Sequence, residues 1–209
     1  MLLRIRVRLP DRPGSLGRVA RTLGAAGADV VQLSVLENVA GRALDDITVS
    51  WPSGVSADRI TAGLQAVPGV RVEGLWPTVE PPGLHPDVAL IGQLAAHPGE
   101  GLRIFADALP AILSADWAGV LRTGPGRLVH TSPGGEAAEP PADLEPLRCR
   151  AFRSPDGTQY GLVPFASADT AVLVARSAAP EFHLSEMLRL EQLVQAAESV
   201  LGDRLSPLM

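Results

Sequence analysis

The first 23 residues change hydrophobic period across a single proline-glycine junction, and that switch limits the fold more than any other feature of the chain. In "LLRIRVRLP" the apolar Leu3, Ile5, Val7 and Leu9 alternate with Arg4, Arg6 and Arg8, the period of a strand with one buried face. After "DRPG", Leu16, Val19, Ala20 and Leu23 recur at helical spacing, and Gly24 and Gly27 loosen and end the helix. Val31, Leu33 and Val35 alternate next, "NVAGR" turns the chain, and Ile47, Val49 and Trp51 alternate again. Ser56 is the expected N-cap of a second helix carrying Ile60, Leu64 and Val67, which stops at "PG" before a fourth strand, "VRVEGLW". The order is β-α-β-β-α-β, the ferredoxin-like plan, with both helices on one face of the sheet. The row Arg4, Arg6, Arg8 is therefore expected on the other face, in solvent.

The segment "PTVEPPGLHPD" concentrates Pro77, Pro81, Pro82 and Pro86 and reads as a stiff linker. Expected boundaries are 1–78 for the first domain, 79–86 for the linker and 87–209 for the second domain. Helical stretches near 87–97 and 100–114 precede strand-like "DWAGVLRT" and "GRLVHTS". The Gly/Pro/acid-rich "PGGEAAEPPADLEP" reads as an exposed loop before three more strands, "LRCRAF", "TQYGLVPF" and "TAVLVARS". A terminal helix closes the chain, and its stripe of Met187, Leu190, Val194, Ala197 and Leu201 is expected to pack on its own sheet. The whole chain is thus α+β, its second domain built on an antiparallel sheet.

Composition narrows the function. An apolar fraction of 46% and a mean hydropathy of +0.17 belong to a globular chain. No apolar run approaches the roughly 20 residues of a membrane span, and the N-terminus does not read as a signal sequence, so a cytoplasmic protein without a membrane partner is expected. Up to residue 80 there are nine arginines against eight carboxylates, and beyond it nine against fifteen. Nucleic acid, which needs a concentrated basic surface, is not an expected partner. The single cysteine, Cys149, has no disulfide or metal-ligand companion and reads as a bystander. His85, His97, His130 and His183 are scattered, so no metal or cofactor is expected, and P-loop, GxGxxG and GxSxG motifs are absent. Asp116 and Asp169 are the carboxylates an enzyme reading would use as general bases, but nothing in the sequence brings them together. A non-enzymatic protein is expected.

Pro13 fixes φ at the helix start, while Gly14 and Gly17 remove side chains, so the amides around Gly14, Ser15 and Leu16 can approach a ligand. Open amides at a helix N-terminus favour an anion such as a carboxylate. Turn chemistry alone accounts for the same residues equally well. The run "RIRVRL", "DRPGSLG", "RVARTLGAAGA" and "DVVQ" resembles an ACT domain, the small regulatory module of amino-acid metabolism, over residues 2 to 78. That resemblance implies side-by-side pairing into a homodimer and an amino-acid ligand near the junction. The implied ligand-binding residues are Asp11, Arg12, Pro13, Gly14, Ser15, Leu16, Gly17 and Asp29. Serine-binding modules of the phosphoglycerate dehydrogenase type commonly carry asparagine at the positions matching Asp11 and Asp29, which are carboxylates here. The ACT arrangement implies that both flank the ligand at one end of the sheet, where they suit an ammonium group; the competing reading makes Asp11 a cap and Asp29 an exposed strand end. The C-terminal "TAVLVARSAAPEFHLSEMLRLEQLVQAAESVL" is similar to the last strand and helix of a GAF domain, a ligand-sensing fold. Together these imply an amino-acid sensor, or alternatively a regulatory subunit acting in trans on a metabolic enzyme, similar to the acetolactate synthase small subunit.

Overall fold

The computed structural model describes residues 1–52, 56–79, 85–124, 126–142, 144–166 and 169–202; Pro81 and Pro82 of the expected linker lie outside them. The chain divides into two compact units, Met1–Gly83 and Leu84–Met209.

The first unit follows the ferredoxin-like order: β1 (Leu2–Pro10), α1 (Ser15–Ala25), β2 (Asp29–Val39), β3 (Arg42–Ser50), α2 (Asp58–Gln65) and β4 (Arg71–Pro77). The antiparallel sheet runs β2-β3-β1-β4. Leu3, Ile5, Val7 and Leu9 form the core with Val19 and Leu23 of α1, Ile47 and Val49 of β3, and Ile60 and Leu64 of α2. Each such side chain contributes about 1.5–3 kcal/mol through burial. The β2–β3 hairpin closes through Ala40 and Gly41, with φ of 51° and 72°. Positive φ at both central residues is the turn geometry whose twist matches the paired strands.

The arginine row departs from expectation. Arg4 and Arg6 lie on the face away from the helices, yet they are only 7% and 3% exposed. Sheet pairing explains this, because β3 sets Asp46 directly opposite Arg6, and the guanidinium meets that carboxylate through two bonds of 2.8 Å. The same guanidinium lies 5.3 Å from the ring centroid of Trp76. Arg8 reaches Glu73 at 3.3 Å and Glu37 at 3.9 Å. Opposite charge on neighbouring strands, rather than solvent, holds Arg6 and Arg8.

The second unit contains α3 (Pro86–Ala96), α4 (Gly101–Leu113), β5 (Trp117–Arg122), β6 (Arg127–Thr131), β7 (Arg150–Arg153), β8 (Gln159–Pro164), β9 (Thr170–Arg176) and α5 (Leu184–Leu201). Its antiparallel sheet is ordered β6-β5-β9-β8-β7. The expected stripe of α5 is buried from Met187 to Leu201, in one core with Phe105, Leu109, Val120 and Val172. The helix start is fixed by a capping box, in which Ser185 N–H donates to His183 and Glu186 accepts the His183 N–H. Glu186 also receives Arg176 Nη1 at 2.9 Å, tying β9 to α5 through a buried ion pair.

The Arg6–Asp46 pair yields a test. Arg6→Met leaves Asp46 buried and unpaired and is expected to lower unfolding stability by about 3–5 kcal/mol. Adding Asp46→Leu removes the orphaned charge and should restore most of that loss. Chemical denaturation of the full chain and both variants measures the difference.

Candidate functional site

The segment between β1 and α1 is tied to the β2–β3 hairpin. Asp11 N–H donates to the Gly41 carbonyl at 2.8 Å, and Asn38 Nδ2 donates to Asp11 Oδ2 at 2.9 Å. Gly14 stands at the N-cap with φ of +84°, a left-handed conformation that a side chain would strain. A Cβ placed there meets nothing within 4 Å, so Gly14 serves the backbone turn and not a close approach of atoms. Ser15 N–H already donates to the Arg12 carbonyl at 3.1 Å, which removes one of the amides expected to meet a ligand. The amides of Leu16 and Gly17 follow it in the first helical turn.

Beside this junction lies a cavity of about 170 Å³. Leu9, Pro10, Asp11, Arg12, Ser15 and Leu16 form one wall; Leu33, Val35 and Asn38 of β2 with Ala43 and Asp45 of β3 form the other. Among the residues expected to bind ligand, the fold brings Asp11, Arg12, Ser15 and Leu16 to the cavity. Pro13 and Gly14 shape the turn without lining it, and Gly17 lies within α1 and does not line it. Asp29 is separated from them: it pairs with Ser50, which pairs with Leu2, whereas Asp11 follows Pro10 at the opposite end of β1. The separation is the length of the strand, about 26 Å at ~3.3 Å per residue. The crossover through α1 makes β2 run parallel to β1, both antiparallel to β3, and so overturns the expectation that Asp11 and Asp29 share one end of the sheet.

The residue that sequence reading passed over is Asp45. Ala43, Asp45, Ile47 and Val49 alternate along β3 on the helix-facing side, so a carboxylate occupies a core position between Val7 of β1 and Val35 of β2. Asp45 is 3% exposed, and its Oδ1 has no hydrogen-bond partner. Burial, reinforced by the Asp11 and Asp46 carboxylates, pushes its acid group above the usual range. The signal was present as "ALDDITV", in which strict alternation forces one of two adjacent aspartates inward. Buried polar groups are normally satisfied, and an unsatisfied one in a concave site makes Asp45 a candidate functional residue.

A second cavity, of about 560 Å³, lies in the second unit among Asp116, Trp117, Glu139, Asp156, Tyr160 and Ser177. Two of its carboxylates are already served by the protein. Asp116 accepts from Ser177 N–H at 2.7 Å and from its hydroxyl at 2.6 Å. Asp156 is held below the usual carboxylate range by bonds from Ser154 and from the Thr158 amide. The loop that begins at Pro133 is exposed as expected at Pro133, Gly134, Glu136, Ala137 and Glu139, and Gly134, Ala137, Ala138 and Glu139 also line this cavity. Asp169 lies next to Thr170, the partner of Arg122, at the far end of β5 from Asp116, so the two carboxylates do not converge. His130 Nε2 lies 2.8 Å from Asp107, and His183 caps α5. No cluster of three or more metal-ligating side chains occurs among the described residues. Burial and Glu191 push the Cys149 thiol up, away from the reactive thiolate.

No protein-family model matches this chain, and no curated protein matches it. Among solved structures it is similar to a formyltetrahydrofolate deformylase from Pseudomonas putida KT2440, with 18% identity and a TM-score of 0.33, over 37% of this chain and 29% of the deformylase. It is also similar to an unknown protein from Galdieria sulphuraria, with 12% identity and a TM-score of 0.32, over 96% of this chain and 93% of the other. Likenesses this distant carry no functional argument. The class that the fold itself defines is an α+β chain with a ferredoxin-like first unit and a second unit on its own antiparallel sheet.

Asp45 gives the first unit a defined pH response. An acid whose folded pKa is raised binds more protons folded than unfolded, so stability declines as pH rises from the ordinary aspartate value of about 3.9 through the folded value. The charged groups that act on it are Asp11 from the junction and Asp46 on its own strand. Asp45→Asn is expected to melt higher than wild type at pH 7.5, with the gap closing below about pH 4, where the wild-type carboxyl is protonated folded and unfolded. Paired melting curves across that range check the sign.

Proposed function

We propose that the first unit is an ACT-type regulatory module that binds an amino acid in the cavity beside the β1–α1 junction, and that the chain is not an enzyme. One observation carries this reading: residues from the junction and from two strands enclose a cavity containing a buried carboxylate without a partner. Its 170 Å³ corresponds to the liquid volume of five or six waters at ~30 Å³ each, which suits a small metabolite and not a nucleotide. Leu16, Leu33 and Val35 supply apolar wall, and the junction supplies polar groups, the mixture usual in small-molecule sites.

The same reading makes the working form a homodimer joined along β2. That strand is an edge of the sheet, and it exposes Val30, Leu33, Val35 and Val39, the last two by 60% and 59%. A long apolar edge is a template for strand pairing, and pairing with a second copy closes it. The second unit, GAF-like in this reading, reports the bound state. The alternative, regulation of a metabolic enzyme in trans, would place that enzyme on the same edge; co-purification of a stoichiometric enzyme would favour it. No helix among the described residues is long and apolar enough to cross a membrane, and a cytoplasmic site of action completes the proposal.

Thermal-shift titration of the full chain against the proteinogenic amino acids tests the ligand assignment. At least one is expected to raise the melting temperature, with about 2.7 kcal/mol of stabilisation when present at 100 times its Kd. Ala43→Leu, which fills the cavity without touching a charge, should abolish the response. A complete lack of response in wild type overturns the assignment.

Dimerisation has its own test. Val35→Glu places a charge on the open edge and is expected to shift the protein from dimer to monomer in light scattering at tens of micromolar, near typical interface affinities. A wild-type chain that is monomeric there removes the dimer from the proposal.

A further inference from the structure

We propose that Asp45 is the ammonium-binding group of this cavity, so that its ligand is a small primary amine with an apolar tail. The inference rests on the reading of the cavity as a ligand site and assigns the chemistry that the site selects.

The neighbouring carboxylates are already engaged by the protein. Asp46 is held by Arg6 through two bonds of 2.8 Å, and Arg8 is engaged by Glu73 and Glu37. Asp11 receives Asn38 at 2.9 Å. Asp45 alone among these carboxylates has a buried oxygen, Oδ1, with no partner, and the side chain lines the cavity. An uncompensated buried carboxylate is unfavourable unless a cation or a proton arrives.

The arriving group is constrained in two ways. A metal ion demands several hard ligands, and no cluster of three or more candidate metal-ligating side chains occurs among the described residues. An alkylammonium needs only one or two acceptors and carries a tail that requires apolar wall. Both are present, with Asp45 as the acceptor and Leu16, Leu33 and Val35 as wall. Arg12 lines the cavity and forms no ion pair among the described residues, so a carboxylate on the same ligand has a cation to meet. An α-amino acid with a short aliphatic side chain satisfies all three requirements, and its ammonium distinguishes it from the corresponding acid.

Calorimetric titration of the full chain with isobutylamine, 3-methylbutanoate and calcium chloride tests the assignment. Wild type is expected to bind isobutylamine and to bind 3-methylbutanoate at least tenfold more weakly. Asp45→Asn should weaken isobutylamine at least tenfold, whereas Asp29→Asn, at the far end of the sheet, should leave it unchanged. Equal binding of the acid, full affinity in Asp45→Asn, or no binding of isobutylamine to wild type overturns the ammonium assignment. So does calcium binding that depends on Asp45 while the amine is inert. If an amino acid still stabilises wild type and Ala43→Leu still abolishes that response, the small-molecule reading survives and only the role of Asp45 falls. If neither amino acids nor isobutylamine bind, both fall.

Discussion

Nine consecutive residue pairs between β1 and β3, from Leu2 with Ser50 to Pro10 with Arg42, fix the geometry on which the rest of the first unit depends. Side chains alternate across a strand, so a slip of one residue would send Ile5 and Val7 to the wrong face and Arg6 into the core. The hydrophobic pattern therefore enforces this register. Once it is set, the residue after Pro10 must meet the β2–β3 hairpin, and Asp11 bonds to Gly41. The cavity beside the junction follows from strand pairing, and the loop closes one of its walls.

The same register gives two adjacent aspartates opposite environments. Asp46 faces Arg6 and Trp76, where charge and ring compensate it; Asp45 faces Val7 and Val35, where nothing does. An apolar residue at position 45 would follow the pattern of Ala43, Ile47 and Val49 and would be the more stable choice for an empty core. A local rule broken at one position, with the remaining levels of organisation intact, is characteristic of functional or strained sites.

Much of the fold was legible because its signals are local. Alternation in "RIRVRL", helical spacing from Leu16 to Leu23 and the stripe along α5 each report on the buried face of a single element. Pairing was less legible, since it depends on partners distant in sequence. The arginine row looked solvated because Asp46, forty positions away from Arg6, could not be assigned to it from spacing alone. Asp29 looked close to Asp11 because both border the same helix in sequence, whereas α1 carries the chain back along the sheet and β2 starts parallel to β1, with Asp29 at the other end. The candidate site divided in the same way. Asp11, Arg12, Ser15 and Leu16 come from one continuous segment and were found; Asn38, Ala43 and Asp45 come from the facing strands and were missed.

Two residues join the site to the sheet edge. Leu33 and Val35 form part of the cavity wall, and both are also exposed on β2, the outermost strand. A chain that pairs along β2 covers these side chains and completes the wall, so a ligand in the cavity gains contacts that the isolated unit does not offer. Linkage then requires the converse, because a ligand that binds the paired form more tightly must strengthen the pairing by the same factor. The mechanism needs no long-range path through the core, since the wall and the edge are the same two side chains. In the proposed reading, occupancy of a cavity too small for more than one metabolite becomes a change in association, a signal large enough for a second unit to report.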